Sequence, residues 1–201
     1  MARPRKHEPG AMLDAALGLL RDHGPPGVTM TAVAEASGAP SGSLYHAFGS
    51  RDVLLAELWL RTIEPFQERF LACLETPDPL EAAEAAAAFT LDWVRAHPDE
   101  ARLLLLHRRE DLASGPWPGS VVERARRLAT TFDDALHRYA ALLAAVRGER
   151  PADALDRAWF VLVDLPSAAV RRHLGDGREP PRAVDTLLRT ALRAVVAPTS
   201  P

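Results

Sequence analysis

Residues 29–54 read TMTAVAEASGAPSGSLYHAFGSRDVL. Thr29 carries the short oxygen-bearing side chain that caps a helix start. Met30, Val33 and Ala34 then recur at helical spacing and form one apolar face. Gly38 stands where the chain must turn tightly, and glycine adopts the backbone such turns need. Pro40 is tolerated near the first turn of a following helix, in which Leu44 and Phe48 lie four apart and share a face. The stretch predicts a helix over about 30–37, a four-residue turn, and a second helix over about 41–48. This is helix-turn-helix spacing. In such a unit the second helix lies in a major groove with its N-terminal residues against base edges, and the first braces it.

Working outward, residues 11–23 place Met12, Leu13, Ala16, Leu17 and Leu20 on one helical face, and the run Gly24, Pro25, Pro26, Gly27 ends that helix. Ser50 caps a long helix from 51 to about 74, with Pro65 expected to bend it. Further helices are expected over 80–96, 99–111, 120–146, 151–174 and 182–196. Pro166 should disturb the centre of the helix over 151–174. Loops follow from the proline and glycine clusters at 76–79, 115–119 and 175–181. The fold expected is all-α: an N-terminal three-helix helix-turn-helix domain over 1–50, then a helical ligand-binding and dimerisation domain over 51–201.

Composition agrees. Of 201 residues, 47% are hydrophobic, enough for a globular core. Alanine, leucine and arginine dominate, and all three favour helix. The net charge of -3 is unlike that of a nonspecific nucleic-acid binder. Residues 1–55 hold five basic and five acidic side chains, so the acidic excess lies behind them. Arg3, Arg5 and Lys6 make the one basic cluster there, readable as a DNA-reaching arm or as a solubilising tail. Cys73 is the single cysteine, which excludes an intrachain disulfide or a cysteine zinc cluster. The N-terminal residues carry charge without an apolar stretch, and no apolar run reaches membrane-spanning length. Both point to the cytoplasm and away from membranes.

The wording around the turn resembles the TetR family of bacterial transcription regulators. The resemblance rests on Val33 and Ala34, Gly38, the block Gly42, Ser43, Leu44, Tyr45, then Phe48, Arg51 and Leu54, and it covers about residues 10–55. Ala47 and Pro40 depart from it, because many members carry a basic or imidazole side chain at the first position and a serine cap at the second. The resemblance implies operator DNA as partner. It also implies backbone-contact roles for Thr31, Tyr45 and Arg51.

Physical chemistry offers parallel readings. Gly42, lacking a side chain, permits close approach either to DNA or to a packed helix. Ser41 and Ser43 can donate to phosphate or accept from a base. The Tyr45 phenol can bond a phosphate or fill a core. His46 can touch DNA or simply face water, and Arg51 can touch backbone or be solvated.

A three-helix reader makes few contacts, so specific affinity calls for two copies on half-sites about 34–36 Å or more apart. The resemblance places the homodimer interface on 152–173 and 182–196. It further implies an unidentified small-molecule effector held in the second domain. Wall residues would be Trp59, Phe66, Phe70, Phe89, Trp93, Leu105, Trp117, Phe132, Tyr139 and Trp159, which suit a hydrophobic or aromatic compound. For each of them taken alone, ordinary core packing is the stronger reading. His107 to Asp111 form a charge run that reads as a solvated face. No phosphate loop, serine elbow or HExxH pair is present, and the histidines lack metal-ligand spacing. The reading is a regulator, with no enzyme activity, cofactor or metal.

Overall fold

A computed structural model describes residues 8–106 and 117–197. Contacts divide the chain into two compact units. Residues to Ile63 with Arg102–Ala125 form the first, and Glu64–Ala101 with the residues from Arg126 form the second. The division by contacts thus falls further along the chain than the boundary at 50 and recruits a later segment. The described elements are all helical. Arg3, Arg5, Lys6 and the charge run 107–111 lie outside the described residues, as does the end of the helix expected over 99–111.

The first unit begins with α1 (Pro9–Gly27), whose regular part stops at Gly24, where φ is +66°. Only glycine takes that backbone without a steric penalty, so the run from Gly24 to Gly27 closes the helix as its composition implies. Helix α2 (Met30–Ser37) starts on Thr29, whose hydroxyl accepts from the Ala32 N–H at 3.1 Å. It ends on Gly38 in the left-handed region at φ +65°. Helix α3 (Ser41–Phe48) follows, with Pro40 at its N-cap and no side-chain cap. Met12, Leu13, Ala16 and Leu20 of α1, Val33 and Ala34 of α2, and Leu44 and Phe48 of α3 are buried, and α1 packs on both following helices. Helix α4 (Arg51–Ala72) adds Leu54, Leu55 and Leu58 to the buried set. Its first turn is capped by Ser50, which accepts from the Val53 N–H at 3.3 Å. Pro65 lies inside α4, exposed, and the helix is continuous through it.

The remaining described helices are α5 (Pro79–Ala96), α6 (Pro98–Leu106), α7 (Gly119–Arg147), α8 (Pro151–Trp159), α9 (Leu165–Gly175) and α10 (Ala183–Val196). In the second unit α5 is the axis of packing, in contact with α9 and α10. Its inner face is Ala82, Ala83, Ala86, Ala87, Leu91 and Val94. Small side chains on that face let the opposing Val184, Leu188 and Leu192 of α10 approach closely.

The disturbance expected at Pro166 takes a definite form. Between α8 and α9 the chain makes one π-helical turn, Phe160–Asp164, in which the Leu165 N–H reaches back to the Phe160 carbonyl. Proline lacks an N–H and its ring clashes with the carbonyl four residues earlier. A wider turn just ahead of it relieves that clash and keeps the helix going.

Two buried polar ties hold the second unit. The Tyr139 hydroxyl donates to the Pro79 carbonyl at 2.9 Å, and burial pushes this phenol well above its ordinary pKa. Arg95, nearly buried, pairs with Asp185 and donates to the Pro180 carbonyl at 3.1 Å, fixing the start of α10 to the end of α5. The hydrogen bond from Arg95 holds the Asp185 carboxyl below the usual carboxylate range, against the effect of burial.

Candidate functional site

The outward side of α2 and α3 is built by the same pattern that buries their inward side. Leu44 and Phe48 anchor α3 in the core, so the residues between them turn out. Ser41, Gly42 and His46 are exposed and Ser43 is half-buried. Tyr45 is 54% exposed, which rules out the core-tyrosine reading. A Cβ added at Gly42 would meet nothing within 4 Å. Its lack of a side chain therefore answers no packing need inside the protein, and the close-helix-packing reading falls away. Thr31 is exposed in the first turn of α2. Thr31 and the Ser41–Ser43 run both occupy helix first turns, where free backbone N–H groups favour anions.

Arg51 is placed differently from the others. It is half-buried, and its guanidinium donates to the Val28 carbonyl and the Pro25 carbonyl, each at 2.6 Å. It thereby fastens the start of α4 to the segment that leads into α2. A second arginine works alongside it. Arg61 of α4 donates to the Asp14 carboxylate at 2.7 Å and to the Gly10 carbonyl at 3.2 Å in α1. Arg124 pairs with Glu57 of α4 at 2.6 Å. These ties are not legible in the sequence, because their partners are 51, 47 and 67 positions away.

Six of the aromatic residues considered for an effector site do come together, all in the second unit. Phe66 lies 5.8 Å from Phe70, 5.4 Å from Phe89 and 4.7 Å from Trp93, centroid to centroid. Phe70 continues to Phe132 at 6.3 Å, and Phe132 to Trp159 at 5.7 Å. These separations are those of interacting ring pairs. Trp93 also stacks near His97 at 5.5 Å. Trp59, Leu105 and Trp117 are half-buried and belong to the first unit. Tyr139 is fully buried, with its hydroxyl engaged by Pro79.

Gln67 was not singled out from sequence. It is 8% exposed, and its amide donates to the Leu128 carbonyl of α7 at 2.8 Å. The available signal was a lone amide sharing one helix face with Ile63, Phe66, Phe70 and Leu71. Among the described residues no group of three His, Cys, Asp or Glu side chains could hold a metal ion. No described helix is long and apolar enough to cross a membrane.

A model of the family described as "Bacterial regulatory proteins, tetR family" matches residues 12–58. No curated protein sequence matches the chain significantly. Several solved structures do. A TetR-like transcriptional regulator from Rhodococcus sp. RHA1 is similar over 97% of this chain and 98% of its own, with a TM-score of 0.67 and 23% identity. A bacterial regulatory protein in the tetR family from Rhodococcus RHA1 is similar over 98% and 100%, with a TM-score of 0.73 and 14% identity. The transcriptional regulator FadR from Bacillus subtilis, in complex with stearoyl-CoA, is similar over 96% and 100%, with a TM-score of 0.69 and 14% identity. At these identities the likeness is one of fold. The matched segment contains the helix-turn-helix of α2 and α3, and over these residues the chain is similar to the bacterial regulatory proteins of the tetR family.

Proposed function

We propose that the chain is a homodimeric repressor that binds a palindromic operator and is released by a small hydrophobic or aromatic effector. Residues 1–50 read DNA, and residues 51–201 hold the effector and the partner subunit. The protein acts in the cytoplasm, on the nucleoid.

The observation that carries this reading is the outward side of α3. An unobstructed glycine stands ahead of the buried Leu44, and an exposed tyrosine stands between Leu44 and the buried Phe48, an arrangement without use in packing. Ser41 and Ser43 donate to phosphate or pair with base edges, Tyr45 donates to a phosphate, and Gly42 lets the helix come close to the groove. Thr31 adds a phosphate contact from α2. His46 meets a base or phosphate beside them. For Arg51 the support is indirect: its bonds to Val28 and Pro25 hold the two reading helices at the angle that α4 sets, and any backbone contact is made from that position.

The effector reading draws on the ring cluster from Trp93 to Trp159. Phe66 and Phe70 lie on α4, the same helix that begins with Arg51. An effector that separates those rings acts on the helix to which the reader is fastened. It releases DNA only by binding the released shape better than the DNA-bound one. The stearoyl-CoA complex of FadR, a protein of the same fold, lends support to an apolar ligand. The test is to incubate the purified full chain with sheared genomic DNA and sequence what it retains. Enrichment of a site with two inverted halves is expected. Uniform retention of all DNA, or none by the folded dimer freed of small molecules, would refute the operator reading.

A further inference from the structure

The joint between α1 and α2 is rich in acceptors and short of donors. Pro25 and Pro26 have no N–H, and carbonyls at a helix end have no partner within the helix. Val28 is fully buried and lies ahead of the Thr29 cap. The backbone bonds of α2 begin with the Val33 N–H on the Thr29 carbonyl, so they leave the Val28 carbonyl out. A buried carbonyl requires a donor. Arg51, the first residue of α4, supplies it, with one bond of 2.6 Å to the Val28 carbonyl and another of 2.6 Å to the Pro25 carbonyl. The Asp52 carboxylate stands 3.6 Å from the same guanidinium, whose side chain is only 34% exposed. Further along α4, Arg61 does the same at the start of α1, on the Gly10 carbonyl and Asp14. Helix α4 thus grips α1 at both ends, and the Arg51 grip is the one that adjoins the reading helices.

We propose that Arg51 is a positioning residue for operator binding, which acts on DNA through α2 and α3 instead of through a phosphate pair of its own. A planar guanidinium holds two acceptors in a fixed relation. Here the two acceptors bracket the joint, and α2 begins just beyond the second. The direction in which the chain enters α2 is therefore set from α4. A phosphate could claim the guanidinium only by taking a charge-assisted bond, the stronger kind, away from a carbonyl of the protein. Loss of the fork would loosen the joint, and the reader would then have to be ordered on binding. That weakens affinity without removing any contact to DNA. This role differs from the backbone contact that the family resemblance implies for Arg51. The proposal rests on the operator reading given above and specifies what one residue does for it.

The test compares R51M and R51K with the wild type on a duplex carrying the site retained from sheared genomic DNA. Affinity of the full chain is measured by fluorescence anisotropy over a series of salt concentrations. Lysine keeps the charge but is a point donor that cannot span two carbonyls. Both variants are expected to bind at least about tenfold more weakly than the wild type at fixed salt. The slope of log affinity against log salt should stay at the wild-type value in both, because no phosphate contact is lost. A slope flattened in R51M by roughly 0.9 for each subunit would show a phosphate pair and overturn the proposal. Wild-type affinity in R51K would overturn it too, since charge without the fork would then suffice. Wild-type affinity in R51M, with only a lower melting temperature, would reduce Arg51 to a purely structural tie. Circular dichroism checks the helices of R51M; if they are lost, R51K, which keeps the charge and the aliphatic stem, decides by its affinity. A folded wild type that binds no site at all would overturn the operator reading itself, an outcome distinct from each of these.

Discussion

Replacing Gly42 with alanine should move two measurements in opposite directions. Gly42 is the second residue of α3, and a Cβ built there meets nothing within 4 Å. The substitution thus creates no clash in the protein, and it removes the entropy that a glycine loses in a helix. That loss is worth about 0.5–1 kcal/mol relative to alanine. For a chain of this size 1 kcal/mol corresponds to roughly 2–4 °C in melting temperature, so G42A should melt about 1–4 °C higher by differential scanning calorimetry. Operator binding should go the other way. If α3 lies against a groove with Gly42 inward, the added methyl is overpacked into a close interface. Overpacking typically costs about 1–3 kcal/mol. With tenfold in affinity for every 1.4 kcal/mol, the dissociation constant measured by fluorescence anisotropy should rise roughly 5- to 150-fold. A stabilised variant with unchanged affinity would refute the close-approach argument, and a lowered melting temperature would refute the claim that the space beside Gly42 is open.

Three further outcomes are expected. Y45F keeps the ring and removes one hydroxyl from a 54% exposed side chain; operator affinity should fall by about 0.5–1.5 kcal/mol in a binding titration, with the dimer and melting temperature unchanged. Y139F removes a buried donor to the Pro79 carbonyl, and thermal unfolding should report a loss of about 0.5–1.5 kcal/mol. Asp185 has its folded pKa depressed, chiefly by the hydrogen bond from Arg95. Its stabilising effect is therefore fully present above the unfolded carboxyl value, near 3.9, and is lost as pH falls through the lower folded value. The stability gap between wild type and D185N, followed by denaturant titration at successive pH values, should be constant above about pH 5 and shrink below pH 4.

The helix-turn-helix was legible in the sequence because its determinants are local. Thr29 caps α2 through a bond to Ala32, three residues away, and Gly38 takes the left-handed backbone at the turn. The spacing of Leu44 and Phe48 fixes which side of α3 faces in, and so which residues are offered to a partner. The same locality let Pro166 announce a disturbed helix, although the π turn that resolves it depends on where the lost hydrogen bond can be absorbed.

What tertiary structure alone decided is whatever joins distant positions. Nothing near Arg51 in the chain foretells that its guanidinium closes on Val28 and Pro25. Among ten aromatic or apolar residues considered for an effector site, periodicity could say that each was inward. Only folding sorted Phe66, Phe70, Phe89, Trp93, Phe132 and Trp159 into one chain of touching rings, and set Tyr139 to hold Pro79. The reason is physical. Helix caps and turns are settled by the backbone groups of neighbouring residues, whereas packing partners are settled by which helix faces meet, and a hydrophobic face is complementary to many others until the whole core closes.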